Sequence, residues 1–129
     1  MSIRILVIDD EEAIRKLFLS ALKGAGYQVE TAESGKQGIE KARETRFNLI
    51  FTDLKMPGIN GVETLRELWK MGQTVPIYII TAYYDDFLDQ LQSAANDGIS
   101  FQVLKKPVSM DEVRSIAEVV AEHQIQYSG

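Results

Sequence analysis

The chain has 129 residues, 45% of them apolar and 26% charged, and its 14 Lys and Arg against 19 Asp and Glu leave a net charge of −5. This predicts one globular domain rather than a disordered chain, and an acidic balance that attracts neither nucleic acid nor an anionic membrane. The absence of cysteine excludes disulfides, thiolate metal sites and a Cys nucleophile, and a single histidine, His123, excludes His-rich zinc sites and Ser-His-Asp catalysis.

Short apolar runs alternate with helical patterns. Ile3–Ile8 reads as a strand buried on both faces, and Ile14, Leu17, Phe18, Ala21 and Leu22 follow as a helical stripe stopped by Gly24 and Gly26. A second strand near Gln28–Ala32 leads to Ser34-x-x-Gln37, a capping-box pattern that opens a helix to about Glu44. Asn48–Thr52 is the third strand, and Asp53–Asn60 has the Pro and Gly content of a loop. Gly61–Met71 predicts a helix with Val62, Leu65, Leu68 and Trp69 turned inward. Pro76 introduces a strand at Ile77–Ile80, and Phe87, Leu88, Leu91, Ala94 and Ala95 mark a fourth helix that ends at Asn96 and Gly98. Phe101–Leu104 is the fifth strand; Ser109-x-x-Glu112 caps a last helix striped by Val113, Ile116, Val120 and Ala121, and the tail from Gln124 is expected to fray.

Strict alternation of five strands and five helices predicts an α/β domain over residues 1–123 with right-handed crossovers, a doubly wound parallel sheet and helices on both faces. In such sheets ligands bind beyond the carboxyl ends of the strands, where the strand order switches. That rule singles out Asp9-Asp10, Asp53, Thr81 and Lys105-Lys106-Pro107, each placed where a predicted strand ends.

Asp9, Asp10 and Asp53 would converge on one edge, where their charges repel unless a cation is bound or one acid keeps its proton. Hard oxygen donors suit Mg²⁺, with Mn²⁺ as a substitute. A carboxylate, a divalent ion, a lysine and a threonine hydroxyl together describe phosphoryl transfer onto an Asp. Singly, each residue has a plainer reading: a helix cap for Asp9-Asp10, a turn residue for Asp53. Their joint placement at successive strand ends favours function.

These residues carry a resemblance. From Ile5 to about His123 the chain resembles the receiver domains of two-component response regulators. The matches are Val7-Ile8-Asp9-Asp10-Glu11, Thr52-Asp53-Leu54-Lys55-Met56-Pro57-Gly58 with Gly61, Ile80-Thr81-Ala82, and Lys106-Pro107. Asp53 through Gly58 followed by Thr81-Ala82-Tyr83 looks most similar to the single-domain phosphorelay regulators of sporulating bacteria. The resemblance implies a flavodoxin-like sheet of order 2-1-3-4-5 with Asp53 as phosphoacceptor. It implies Mg²⁺ held by Asp10, Asp53 and the backbone carbonyl of Lys55, with Asp9 acting through water. Lys106 would pair with Asp53 and then with the phosphoryl group, Thr81 would swing to that group, and the Lys106-Pro107 peptide would be cis. Lys105 rivals Lys106 for the lysine role, because the stretch from Gly98 is one residue longer than the family spacing. Val103 stands where the family often has an aromatic or His, with Phe101 nearby.

The resemblance further implies a cytoplasmic phosphorelay protein that takes a phosphoryl group from a histidine kinase, with self-phosphorylation and slow autodephosphorylation at Asp53 rather than conventional turnover. Output is expected by contact or by onward transfer to a His-containing phosphotransferase, docked on helix one (Glu12, Ile14, Leu17) and the loops at Tyr83–Tyr84 and Pro107–Val108. Three rivals are weaker. A haloacid-dehalogenase-type phosphatase needs Asp-x-Asp-x-Thr after strand one, where this chain has Asp9-Asp10-Glu11-Glu12-Ala13. A flavin carrier needs a phosphate loop after Ile8. A receiver-like module that is never phosphorylated has no reason to keep the full set of acids, Lys and Thr.

Overall fold

The computed structural model describes residues 2–127. The elements run β1 (Arg4–Ile8), α1 (Glu12–Gly24), β2 (Gln28–Ala32), α2 (Gly35–Glu44), β3 (Leu49–Asp53), α3 (Gly61–Lys70), β4 (Ile77–Thr81), a short 3₁₀ turn (Asp85–Phe87), α4 (Leu88–Asn96), β5 (Gln102–Lys105) and α5 (Met110–Tyr127). All strands are parallel in the order β2-β1-β3-β4-β5. The doubly wound, five-stranded expectation holds.

Side-chain alternation along the strands splits the apolar residues into two cores. Leu6, Ile8, Ile50 and Ile79 face α2, α3 and α4 through Ile39, Leu65, Leu68 and Leu91. Ile5, Val7, Phe51 and Ile80 face α1 and α5 through Phe18, Leu22, Val113 and Ala117. Phe18 meets Phe51 edge-on, with ring centroids 5.6 Å apart. β3 is buried along its whole length, which sets Asp53 at the end of a fully covered strand.

The details depart from the sequence expectations in four places. Asp53 is the last residue of β3, not the first of a loop. Trp69, expected inward, is 47% exposed, because one turn of α3 already presents Leu65 and Leu68 to the sheet. At α2, Ser34 Oγ accepts from the Gln37 N–H at 3.1 Å, but the Gln37 carboxamide accepts from the Glu33 N–H, one residue earlier than a capping box requires. The reciprocal box belongs to Asn60 and Glu63 at the start of α3. Of the tail from Gln124, residues 124–127 continue α5, and Ser128 and Gly129 lie outside the described residues. Among the described residues no helix is long and apolar enough to cross a membrane.

Candidate functional site at the carboxyl edge of the sheet

Chain order reverses between β1 and β3: β1 leads to β2 on one side and then to β3 on the other. Ile8 pairs in register with Thr52, so the next residues, Asp9 and Asp53, emerge side by side in the crevice this reversal opens. Asp9, Asp10 and Asp53 each offer a carboxylate oxygen, and the three oxygens lie within 4.8 Å of one another. Asp9 and Asp53 are buried at 4% and 7% exposure, while Asp10 faces solvent.

Local hydrogen bonds fix each acid. The Glu11 N–H donates to Asp9 Oδ1 at 2.9 Å, and the Arg15 guanidinium donates to the Asp9 carbonyl at 2.8 Å, pinning the β1–α1 loop. The Leu54 N–H donates to Asp53 Oδ1 at 2.9 Å. Lys106 Nζ stands 3.7 Å from Asp53 Oδ1, close enough to pair in charge but beyond a hydrogen bond. Lys105 turns elsewhere, with its ammonium 4.5 Å from the ring centroid of Tyr84. Of the two lysines, Lys106 is the one beside Asp53. Its peptide with Pro107 is cis, as expected, and its N–H donates to the Thr81 carbonyl at 2.9 Å.

Burial dominates the electrostatics. It pushes the Asp53 carboxyl up to about 6, assisted by the charge of Asp9 and opposed by Lys106 and the Leu54 N–H. It also raises Asp9, against the Glu11 N–H and the charge of Lys106. Two desolvated carboxylates beside a third make a cluster whose charge one ammonium does not balance. Hard carboxylate oxygens at this spacing fit a small divalent cation.

Thr81 ends β4, fully buried, and its hydroxyl accepts from the Tyr83 N–H at 2.7 Å. Lys55, two residues after Asp53, holds its ammonium 4.3 Å from the ring centroid of Tyr83, so the loops after β3 and β4 touch. Phe101 and Val103 are both half-buried against the α3–α4 core. Arg15 and Asn60 are the supporting residues that sequence reading did not single out. Asn60-x-x-Glu63 carries a legible capping signal, whereas nothing local in the sequence announces the reach of Arg15 to a backbone carbonyl.

Beside the acids a cavity of about 450 Å³ opens between α1 and the β5–α5 loop, walled by Ile14, Leu17, Pro107, Val108 and Met110 and floored by Phe18, Phe51 and Ile80. Leu17, at 49% exposure, belongs to its rim rather than to the core.

Residues 5–118 match the family model described as the response regulator receiver domain. The sporulation initiation phosphotransferase F of Bacillus subtilis is 32% identical over 114 residues, 88% of this chain and 90% of that protein. The transcriptional regulatory protein ZraR of Klebsiella oxytoca is 34% identical over 96% of this chain, but this chain spans only 28% of its length. Among solved structures, a CheY-like receiver domain protein of Methanospirillum hungatei superposes with a TM-score of 0.83 at 29% identity, covering 98% of this chain and 99% of that one. The response regulator TrrA of Thermotoga maritima, in complex with Mg²⁺ and BeF, gives 0.76 at 33% identity over 93% of this chain and 99% of that one. The family pattern runs through nearly the whole chain and ends its strands on the same crevice the topology opens, and so the chain belongs to the receiver domains of two-component response regulators.

Proposed function

We propose that Asp53 is the phosphoacceptor, taking the phosphoryl group from a phosphohistidine on a histidine kinase. A carboxylate oxygen of Asp53 attacks phosphorus, the P–N bond breaks, and the departing imidazole nitrogen keeps the electron pair and takes a proton. The observation that carries this reading is the Asp53 carboxylate itself: buried, 3.7 Å from Lys106 Nζ, and within 4.8 Å of oxygens from two further acids.

The residues fit Mg²⁺, with Mn²⁺ as a substitute. Asp10, Asp53 and the Lys55 carbonyl are assigned as ligands, and Asp9 as an outer acid acting through water. When bound, the ion neutralises the acids and the phosphoryl oxygens. Lys106 supplies the second positive charge and follows the phosphoryl group once it is on Asp53. Thr81 gives up the Tyr83 N–H and donates its hydroxyl to a phosphoryl oxygen, which ties occupancy of Asp53 to the β4–α4 loop.

The partner seats on α1 and the cavity rim, where Leu17, Ile14, Pro107 and Val108 offer apolar anchors beside the acids. This suits a helical kinase or phosphotransferase element that presents its histidine to Asp53. Likeness to a phosphotransferase of sporulation initiation over 88% of this chain supports onward transfer in a cytoplasmic relay of that kind. The test is incubation with acetyl phosphate and Mg²⁺, followed by detection of an acid-stable, base-labile adduct. Labelling lost in Asp53→Asn and on chelation is expected; labelling that survives Asp53→Asn refutes the assignment.

A further inference from the structure

α4 is held to the fold by few buried side chains: only Leu91 and Ala94 are buried in it. Among the described residues its side-chain hydrogen bonds, counting its C-cap Asp97, run to α3 or its cap. At the far end the Arg66 guanidinium donates to Asp97 at 2.7 Å and to the Ser93 hydroxyl at 3.1 Å. At the near end Asn60 Nδ2 donates to Gln90 Oε1 at 3.0 Å.

Asn60 is also the residue by which α3 is fastened to the segment after Asp53. Its side-chain oxygen accepts from the Glu63 N–H at 2.9 Å, and its carbonyl accepts from the Thr64 hydroxyl at 2.8 Å. The next residue, Gly61, donates its N–H to the Leu54 carbonyl at 2.7 Å. Gly61 packs so tightly that a Cβ there would collide with the Asp53 carbonyl and the Leu54 Cα. Leu54 in turn gives its own N–H to Asp53 Oδ1. A continuous run of hydrogen bonds and contact therefore leads from the Asp53 carboxylate through Leu54, Gly61 and Asn60 to Gln90 on α4. Both ends of the Asn60 carboxamide are used, one for the cap and one for α4.

We propose that Asn60 is a positioning residue that couples the state of Asp53 to the placement of α4, through its hydrogen bond to Gln90. This rests on Asp53 being the group that is loaded. Loading changes what Asp53 Oδ1 offers to the Leu54 N–H, any shift of Leu54 passes to Gly61 because no slack exists there, and the Asn60 amide carries it to α4. Arg66 fastens the same two helices but sits at the end remote from Asp53, so it tethers α4 without carrying the signal.

The cap and the coupling are separable. Asn60→Ser keeps a good N-cap and is too short to reach Gln90, while Gln90→Ala removes the acceptor on an exposed position of α4. The experiment loads the full chain with beryllofluoride and Mg²⁺ and follows amide hydrogen exchange across α4, with acetyl phosphate labelling in parallel. The wild type is expected to change α4 protection by about fivefold on loading, the equivalent of one exposed hydrogen bond. Asn60→Ser and Gln90→Ala should label normally and lose that response, whereas Arg66→Ala should lower α4 protection in both states and keep it. The proposal is overturned if α4 of the wild type does not respond to loading, if either variant responds like the wild type, or if Arg66→Ala loses the response equally. Failure of the wild type to label at all would instead sink the phosphoacceptor reading.

Discussion

Neutralising Asp53 should stabilise the unloaded protein, and the gain should depend on pH. The Asp53 carboxyl sits at about 6 in the fold against 3.8 in an exposed chain. Between those values the folded state binds more protons than the unfolded one, so stability falls as pH rises through the window. The penalty is absent below about pH 4 and complete above about pH 7. The difference between about 6 and 3.8 corresponds to roughly 3 kcal/mol, already net of the attraction to Lys106 and of the Leu54 N–H bond. Asp53→Asn keeps the shape and removes the charge, and with it the repulsion from Asp9 that the raised value already contains. Allowing for solvent screening at the open edge of the site, a net gain of about 2 kcal/mol is expected near neutral pH. With an unfolding entropy of roughly 2.1 cal/mol/K per residue, that is about 7 °C in Tm. Thermal melts in low-salt buffer from about pH 4 to about pH 8 read this directly. Mg²⁺ should raise the Tm of the wild type at the upper end and do much less for Asp53→Asn. A gain of equal size at both ends of the range, or a variant less stable than the wild type near neutrality, would refute the idea that burial of charge sets the energetics of the cluster.

Lys106→Met removes the cation 3.7 Å from Asp53 and should cut labelling by acetyl phosphate by about a hundredfold, read as an initial rate, while Mg²⁺ still raises the Tm. Lys55→Ala and Tyr83→Ala each separate the loops after β3 and β4, and either should shorten the lifetime of the Asp53 adduct several-fold, by about the rate equivalent of one cation–π contact, as followed by release of inorganic phosphate. Gly61→Ala places a methyl against the Asp53 carbonyl and should cost about 1–3 kcal/mol in urea unfolding together with slower labelling, whereas Gly24→Ala, with open space around its Cα, should cost little.

Much of the fold is legible because the sheet is buried on both faces. Continuous runs such as Ile5–Ile8 and Leu49–Phe51 leave no second interpretation, and the βα alternation then dictates parallel order and crossover hand. The acids are legible for the same reason, since any residue just past such a run must emerge at one edge. Trp69 is not, because helical periodicity gives a stripe about 100° wide and cannot say where its margin falls. The choice between Lys105 and Lys106 depends on strand parity: Lys105 pairs in register with Thr81 and turns to Tyr84, which leaves its neighbour to face Asp53. Asn60 and Gln90 meet across thirty positions of sequence, and no local pattern encodes a contact between two exposed amides.

Burial of the acids and readiness for phosphoryl chemistry are one property of this fold. The strand that hides Asp53 strips water from its carboxylate, which raises its proton affinity and, by the same electrostatics, its affinity for any other cation that fits among three oxygens. An exposed triad of equal geometry would be better solvated and would gain little from a metal or an ammonium. Burial holds Asp9 and Asp53 above the usual carboxylate range against the single ammonium of Lys106, so the site keeps an unmet demand for positive charge. On the proposed reading, a phosphoryl group on Asp53 would bring more negative charge to the place where Lys106 stands and the cation would sit. That change would act at the end of β3, one residue from the Leu54 amide and beside Gly61, which packs tightly on the Asp53 carbonyl and the Leu54 Cα. In the proposed coupling a charge event confined to one carboxylate moves a helix because the atoms nearest to it have no room to absorb the change.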